Sequence, residues 1–318
     1  MWALRQPGPG VFERIEVPVP DRLADGEVLL RLRAGAICGS DVPKFLGAHD
    51  PDNPYTGMVG VPLHEVVGEV AGSNAEGLPP GARVVGIAEN SRGLAEYFVT
   101  PARLLHRLDS DLDDVSATVV QPLSTVLSTL DRVPAVHGKR VAVLGLGPLG
   151  LLFTHVLKSM GAATVIGVDR VDRSGVAQAF GIDELFVGDT RAWSARSGRP
   201  DLCVEAIGHR QDVVADAIEA LAPHGHLFVF GLPEDHYVIP MRTFFRKHLT
   251  MQGGTTLDWT RFLAEAEKYL LDHPGLPEAY ITDVFPVDRA EEAYRRYAFP
   301  AEGRLKVAIT ATAPRASW

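Results

Sequence analysis

Up to about residue 110 the chain alternates short apolar runs with polar positions and turns. The runs Glu27–Ile37 (EVLLRLRAGAI), His64–Ser73 (HEVVGEVAGS) and Ala82–Glu89 (ARVVGIAE) each predict a strand. Asp25-Gly26, Pro79-Pro80-Gly81 and Ser91-Arg92-Gly93 supply the turns. Short strands punctuated in this way predict a small barrel-like β domain. The pattern changes near Asp113. Val115–Leu130 reads as a helix, and from Arg140 strands alternate with helices. Arg140–Gly147 is strand and turn, and Pro148–Gly161 is a helix stopped by Gly161. TVIGVDR, LCVEAIG and HLFVFGL read as further strands, with helices in SGVAQAFG and DVVADAIEALAP. That rhythm predicts a parallel sheet covered by helices on both faces. In the tail, Thr260–His273 gathers Phe262, Leu263, Ala266, Tyr269 and Leu270 on one helical side; a helix over Arg289–Ala298 and a strand over Leu305–Thr310 follow.

A length of 318 residues suits two domains. The hydrophobic share of 46% and charged share of 22% are those of an ordinary globular protein. With 31 basic and 40 acidic residues the net charge is −9, which argues against a nucleic-acid binder. No basic cluster suited to a membrane surface is present. The most apolar run, Val141–Leu157, is broken by Gly145, Gly147, Pro148, Gly150 and His155, so no membrane span is expected. The opening MWALRQPGPG lacks the apolar stretch of a secretory signal. The only cysteines, Cys38 and Cys203, suggest no disulfide framework, and a cytoplasmic location is expected.

Gly145-Leu146-Gly147-Pro148-Leu149-Gly150 fits G-x-G-x-x-G. Alone this motif is weak, since glycines punctuate ordinary turns. Here an apolar strand precedes it, a helix follows, and Asp169 closes the next strand. Gly145 allows the tight turn, Gly147 lets a pyrophosphate approach the backbone, and Gly150 lets helix pack on strand. The N–H groups at the helix start, from Pro148 and Leu149 onward, favour the phosphates. Asp169 would accept from the ribose hydroxyls and repel a 2′-phosphate, which favours NAD. Arg170 could pair with such a phosphate and leaves NADP open.

Cys38-Gly39-Ser40-Asp41 and His64-Glu65 form the second constellation. Thiolate and imidazole are standard zinc ligands, and a catalytic site keeps an open position. Alone, Cys38 would more often be a small buried hydrophobe and His64 a satisfied core histidine. Taken with AGAICGSD, HEVVGEV, LAEYFV, QPLSTVLSTL, VAVLGLGPLG, CVEAIG and LKVAIT, the chain resembles the zinc-dependent medium-chain dehydrogenase/reductase family along essentially its whole length. The resemblance implies an α/β protein: a GroES-like β-barrel catalytic domain from 1–122 and 253–318, and an inserted Rossmann domain, a doubly wound parallel sheet, from 123–252.

The resemblance also implies roles. Cys38 and His64 match core zinc ligands, and Glu65 matches an acidic residue that in parts of the family joins the metal. Ser40 matches the hydroxyl that passes the substrate proton, and Asp41 the residue that orients the ligand histidine. Ala206, Ile207 and Gly208, with Gly231 and Leu232, should approach the nicotinamide in the cleft between the domains. There are departures. Pro43 stands where the family often has histidine, Leu63 where it has glycine, and Gln121 where the polyol enzymes have glutamate. Gln121 can still offer an amide oxygen to zinc or to a zinc-bound water. Only Glu89–Gly93 replace the four-cysteine lobe of relatives with a structural zinc, so one catalytic zinc and no structural one is expected.

The expected reaction is hydride transfer between a secondary alcohol (polyol, sugar or cyclitol) and NAD(P), the partners being small alcohols or ketones, in a homodimer or homotetramer. The rival readings are a zinc-free, NADPH-dependent quinone or enone reductase and a catalytically silent NAD-binding protein. Cys203 reads as buried filler, and His224, His226, His236 and His248 lack ligand spacing. Lys44, His49, Asp50, Asp52 and Asn53 form a polar stretch, read either as an ordinary surface loop or as a substrate rim.

Overall fold

The computed structural model of the chain describes residues 1–47, 57–196 and 198–311. Among them, the N-terminal part forms β1 (Trp2–Gly8), β2 (Val11–Glu16), β3 (Glu27–Ala36), α1 (Asp41–Phe45), β4 (Glu65–Ser73), β5 (Arg83–Ile87), β6 (Tyr97–Pro101), β7 (Leu105–Arg107), α2 (Asp114–Ala117) and α3 (Val120–Leu130). The middle forms β8 (Arg140–Leu144), α4 (Pro148–Ser159), β9 (Thr164–Asp169), α5 (Ser174–Ala177), β10 (Glu184–Val187), α6 (Thr190–Ser194), β11 (Leu202–Glu205), α7 (Gln211–Ala220), β12 (His226–Val229), α8 (Met241–Arg246) and β13 (Thr250–Gly253). The tail forms α9 (Trp259–Asp272), α10 (Leu276–Tyr280), β14 (Ile281–Pro286), α11 (Ala290–Ala298) and β15 (Lys306–Thr310).

Two compact units result. The first comprises Met1–Ser124, Asp258–Phe299 and the stretch from Arg304; the second comprises Thr125–Leu257 and Pro300–Gly303. In the first unit the sheet runs β14-β15-β3-β4-β5-β7, with β6 also paired to β3, and β1-β2 form a separate hairpin. Leu30, Leu32, Ile37, Phe45, Val66, Val84, Tyr294 and Val307 lie in its core. Each such side chain contributes about 1.5–3 kcal/mol through burial. In the second unit six parallel strands run β10-β9-β8-β11-β12-β13. The strand order reverses beside β8, so β8 and β11 diverge at a topological switch point, where doubly wound sheets bind ligands.

Three local differences from the sequence pattern have identifiable causes. The expected helix over Val115–Leu130 is two helices, α2 and α3. Asp113 caps the first by accepting from the N–H groups of Val115 and Ser116. Pro122 has no N–H to give, so the second helix must start just before it. SGVAQAFG keeps only the single turn α5, and Gly181 leaves it with φ +68°. Lys44 is no surface-loop residue: it sits in α1 with only 7% of its area exposed, its ammonium 3.9 Å from Asp41. His49, Asp50, Asp52 and Asn53 lie outside the described residues.

Candidate active site

Cys38 follows directly on the end of β3. Ile37 ties that exit to the tail strand by donating its N–H to the carbonyl of Val307 at 3.0 Å. His64 and Glu65 enter β4, which pairs antiparallel to β3 with Glu65 opposite Ala36. The turn at Glu89–Gly93 fixes the approach to His64: Leu63 donates to the Ser91 carbonyl and accepts from the N–H of Gly93. Leu63 fits because Gly35 lies beneath it; a Cβ at Gly35 would come within 2.7 Å of the leucine side chain. Leu63, which stands where the resembled family has glycine, thus packs on Gly35 of β3.

The thiol of Cys38, the imidazole of His64 and the carboxylate of Glu65 have ligand atoms within 4.8 Å of one another. Asp41, fully buried, binds two of these elements together. Its Oδ2 accepts from the Cys38 N–H at 3.1 Å, and its Oδ1 lies 3.1 Å from His64 Nδ1. That contact leaves Nε2 as the ring nitrogen open to a metal. Burial works against charge on Asp41, but His64 beside it holds the carboxyl below the usual range. Burial likewise opposes a proton on His64, yet the Asp41 carboxylate holds the ring well above its ordinary value. Ser40 occupies the N-cap of α1 but makes no side-chain capping bond. Gln121 is buried in the first turn of α3.

Sequence reasoning missed Lys306. Its Nζ donates to Glu65 Oε1 at 2.7 Å and lies 2.7 Å from Oε2 as well, with both side chains 1% exposed. The signal was present: a lysine opens an otherwise apolar buried strand, KVAIT. A buried carboxylate gathered with a thiol and an imidazole is a donor set whose chemistry fits a divalent metal such as zinc.

In the second unit the glycine-rich turn joins β8 to α4. Gly145 has φ +93°, and a Cβ there would lie 2.6 Å from Ile207 Cγ1, so the turns after β8 and β11 are in contact. A Cβ on Gly150 would overlap the carbonyl of Gly145. One on Gly147, the N-cap of α4, would meet no protein atom within 4 Å, which leaves a cradle at the helix start that fits a diphosphate. Two carboxylates shape this rim. Asp169 accepts from Leu146 N–H at 2.5 Å and Val171 N–H at 2.8 Å. Glu205 accepts from Ile207 N–H at 2.7 Å and Gly208 N–H at 2.8 Å. Burial pushes the Glu205 carboxyl up despite those bonds. Arg170, Ile207 and Leu232 are exposed, while Gly208 and Gly231 are buried against each other. Cys203 is fully buried in β11, and burial pushes its thiol up, as expected of an inert thiol.

Two family models match: residues 24–110 fit an alcohol dehydrogenase GroES-like domain and residues 148–269 a zinc-binding dehydrogenase. Glucose 1-dehydrogenase 1 of Haloterrigena turkmenica is 30% identical over 280 residues, covering 72% of this chain and 74% of that protein. The chain belongs to the zinc-dependent medium-chain dehydrogenase family. It is therefore an NAD(P)-dependent alcohol oxidoreductase. L-threonine 3-dehydrogenase of Deinococcus radiodurans is 28% identical over 290 residues, covering 78% of this chain and 80% of that protein. The fold is shared with 2R,3R-butanediol dehydrogenase from Bacillus subtilis, with a TM-score of 0.82, 20% identity and coverage of 98% and 99% of the two chains. Among the described residues, no helix is long and apolar enough to cross a membrane.

Proposed function

We propose that this member of the family oxidises a secondary alcohol of the polyol or sugar class, prefers NAD over NADP, and holds a single catalytic zinc. The convergence of Cys38, His64 and Glu65, with ligand atoms within 4.8 Å of one another, carries this reading. Those three residues would hold the ion, and Gln121 or a water would complete the shell. When bound, zinc supplies Lewis-acid polarisation of the alcohol oxygen, and the nicotinamide supplies the hydride acceptor. The chain's own residues do the rest. Asp41 fixes the tautomer of His64. The Ser40 hydroxyl, not used in capping, takes the proton of the bound alcohol. Proton transfer onward cannot use position 43, where proline has no side-chain acceptor.

On the cofactor side, Gly145, Gly147, Pro148, Leu149 and Gly150 bind the pyrophosphate and Asp169 the ribose hydroxyls, with the exposed Arg170 the route by which NADP could be tolerated. Ala206, Ile207, Gly208, Gly231 and Leu232 line the nicotinamide end. The substrate class is supported by relatives named for glucose and butanediol. A reduced Cys38 thiol suits a cytoplasmic site. Exposed Met241 and Phe245 of α8 and Met251 of the edge strand β13 support assembly as a homo-oligomer.

Metal analysis of purified protein together with an NADH absorbance screen over polyols and sugars tests this. One zinc per chain and NAD-linked turnover of a polyol are expected. Full activity on quinones or enones with NADPH and no zinc would instead establish the zinc-free reductase. Tight NADH binding without turnover of any alcohol or ketone would establish a silent binding protein.

A further inference from the structure

Glu205 ends β11, between Leu144 of β8 on one side and Val229 of β12 on the other. It stands beside the switch point of the sheet and is only 1% exposed. A glutamate is seldom buried this far unless its oxygens have partners. One oxygen, Oε1, accepts from both the Ile207 and the Gly208 N–H, at 2.7 and 2.8 Å. The backbone carbonyl of Glu205 accepts from the Phe230 and Gly231 N–H groups at 2.9 and 3.0 Å. A Cβ on Gly231 would lie 2.9 Å from Oε2. The His209 N–H adds a further bond between the two turns, to the Leu232 carbonyl at 2.7 Å. Glu205 thus ties the turn after β11 to the turn after β12.

The side chain also decides which way the first turn faces. In a trans peptide the N–H and the C=O point in opposite directions. With the N–H groups of Ile207 and Gly208 drawn to Oε1, the carbonyls of Ala206 and Ile207 are turned away from Glu205. Among the described residues neither carbonyl accepts a backbone hydrogen bond. We propose, resting on the reading above that these turns line the nicotinamide end, that Glu205 is the positioning residue for the nicotinamide half of the cofactor: it holds the turn so that the Ala206 and Ile207 carbonyls meet the ribose hydroxyls and carboxamide N–H groups. A turn fixed in advance in this way loses no freedom when the ligand arrives, which is where its contribution to affinity lies. The role needs an acceptor oxygen at Oε1 and does not depend on the charge of the group.

The test measures binding of NADH and of ADP to the full chain by calorimetry. ADP carries the adenosine and the diphosphate but no nicotinamide nucleoside. Glu205→Ala is expected to weaken NADH about 10–100-fold while leaving ADP within about twofold of wild type. E205Q keeps an oxygen that can accept both N–H groups and should recover most of the NADH affinity. E205D, one methylene shorter, withdraws that oxygen and should repeat the selective loss; it decides the matter if E205A does not fold.

E205A or E205D binding NADH as wild type does, NADH and ADP weakening equally, or E205Q binding no better than E205A overturns the role of Glu205 while leaving the cofactor reading intact. Wild-type protein that binds neither ligand overturns both.

Discussion

The two units build their candidate sites in opposite ways. The first brings side chains from far apart in the chain, at 38, 41, 64, 65 and 306, onto one group of strands, and balances buried carboxylates against buried cations. The second uses the backbone. Its glycines remove Cβ atoms where loops meet, and its two rim carboxylates, Asp169 and Glu205, serve to hold N–H groups in place. Substitutions that remove side-chain atoms should thus damage the first site most, and substitutions that add an atom should damage the second.

The strongest test of that contrast is His64→Ala. On the proposed metal site, removing this ligand takes away several kcal/mol of charge stabilisation, so turnover should fall by about 10³-fold or more. NADH binding, measured by fluorescence titration, should stay near wild type; joint loss of both would erase the division between the units.

Next comes Glu267, which docks α9 onto the first unit. It is buried and lies 2.7 Å from His106 Nε2, and it also accepts from Asp109 N–H, Ser110 N–H and the Ser110 hydroxyl. Glu267→Ala should cost about 3 kcal/mol in denaturant unfolding, by leaving buried donors unmatched. Burial opposes its charge, but the Ser110 and His106 bonds hold the carboxyl below the ordinary glutamate range. A depressed folded-state pKa contributes stability above the unfolded value and loses it as pH falls through the folded value. The gap between wild type and E267A should accordingly be full at neutral pH and close in acid. Glu265, two residues earlier and exposed, pairs with Arg261 at 2.8 Å. Glu265→Ala should change stability by only about 0.3–0.5 kcal/mol, and an effect as large as that of E267A would show that burial is not the deciding variable.

In the second unit, Gly150→Ala should weaken NADH binding about 100-fold, roughly 2.7 kcal/mol, while leaving metal content unchanged. Asp169→Ala removes a side chain there and should act more mildly. The NAD over NADP preference should narrow about tenfold in a comparison of kcat/KM values; an unchanged ratio would place ribose recognition elsewhere.

Much of this was legible in the sequence because it is local. The period of apolar residues gave β3, β4, β8, β9 and α9 close to their bounds, since a strand or helix must turn one face to a core. The fingerprint was readable because turn, strand and helix start are contiguous, and Asp41 because it lies three residues from Cys38. Short elements without strong periodicity, such as β1, β2, β13 and α10, were not readable, because pairing partners rather than their own pattern decide them.

By itself, then, the chain determined which residues could bind a metal or a diphosphate and in what local frame. Only the tertiary structure decided that Lys306 reaches Glu65 and that Lys44 is buried beside Asp41. It likewise decided that Ile207 abuts Gly145. Sheet pairing sets these contacts. It joins residues at sequence separations that no local pattern encodes, and the low-dielectric surroundings it creates make each buried charge depend on its partner.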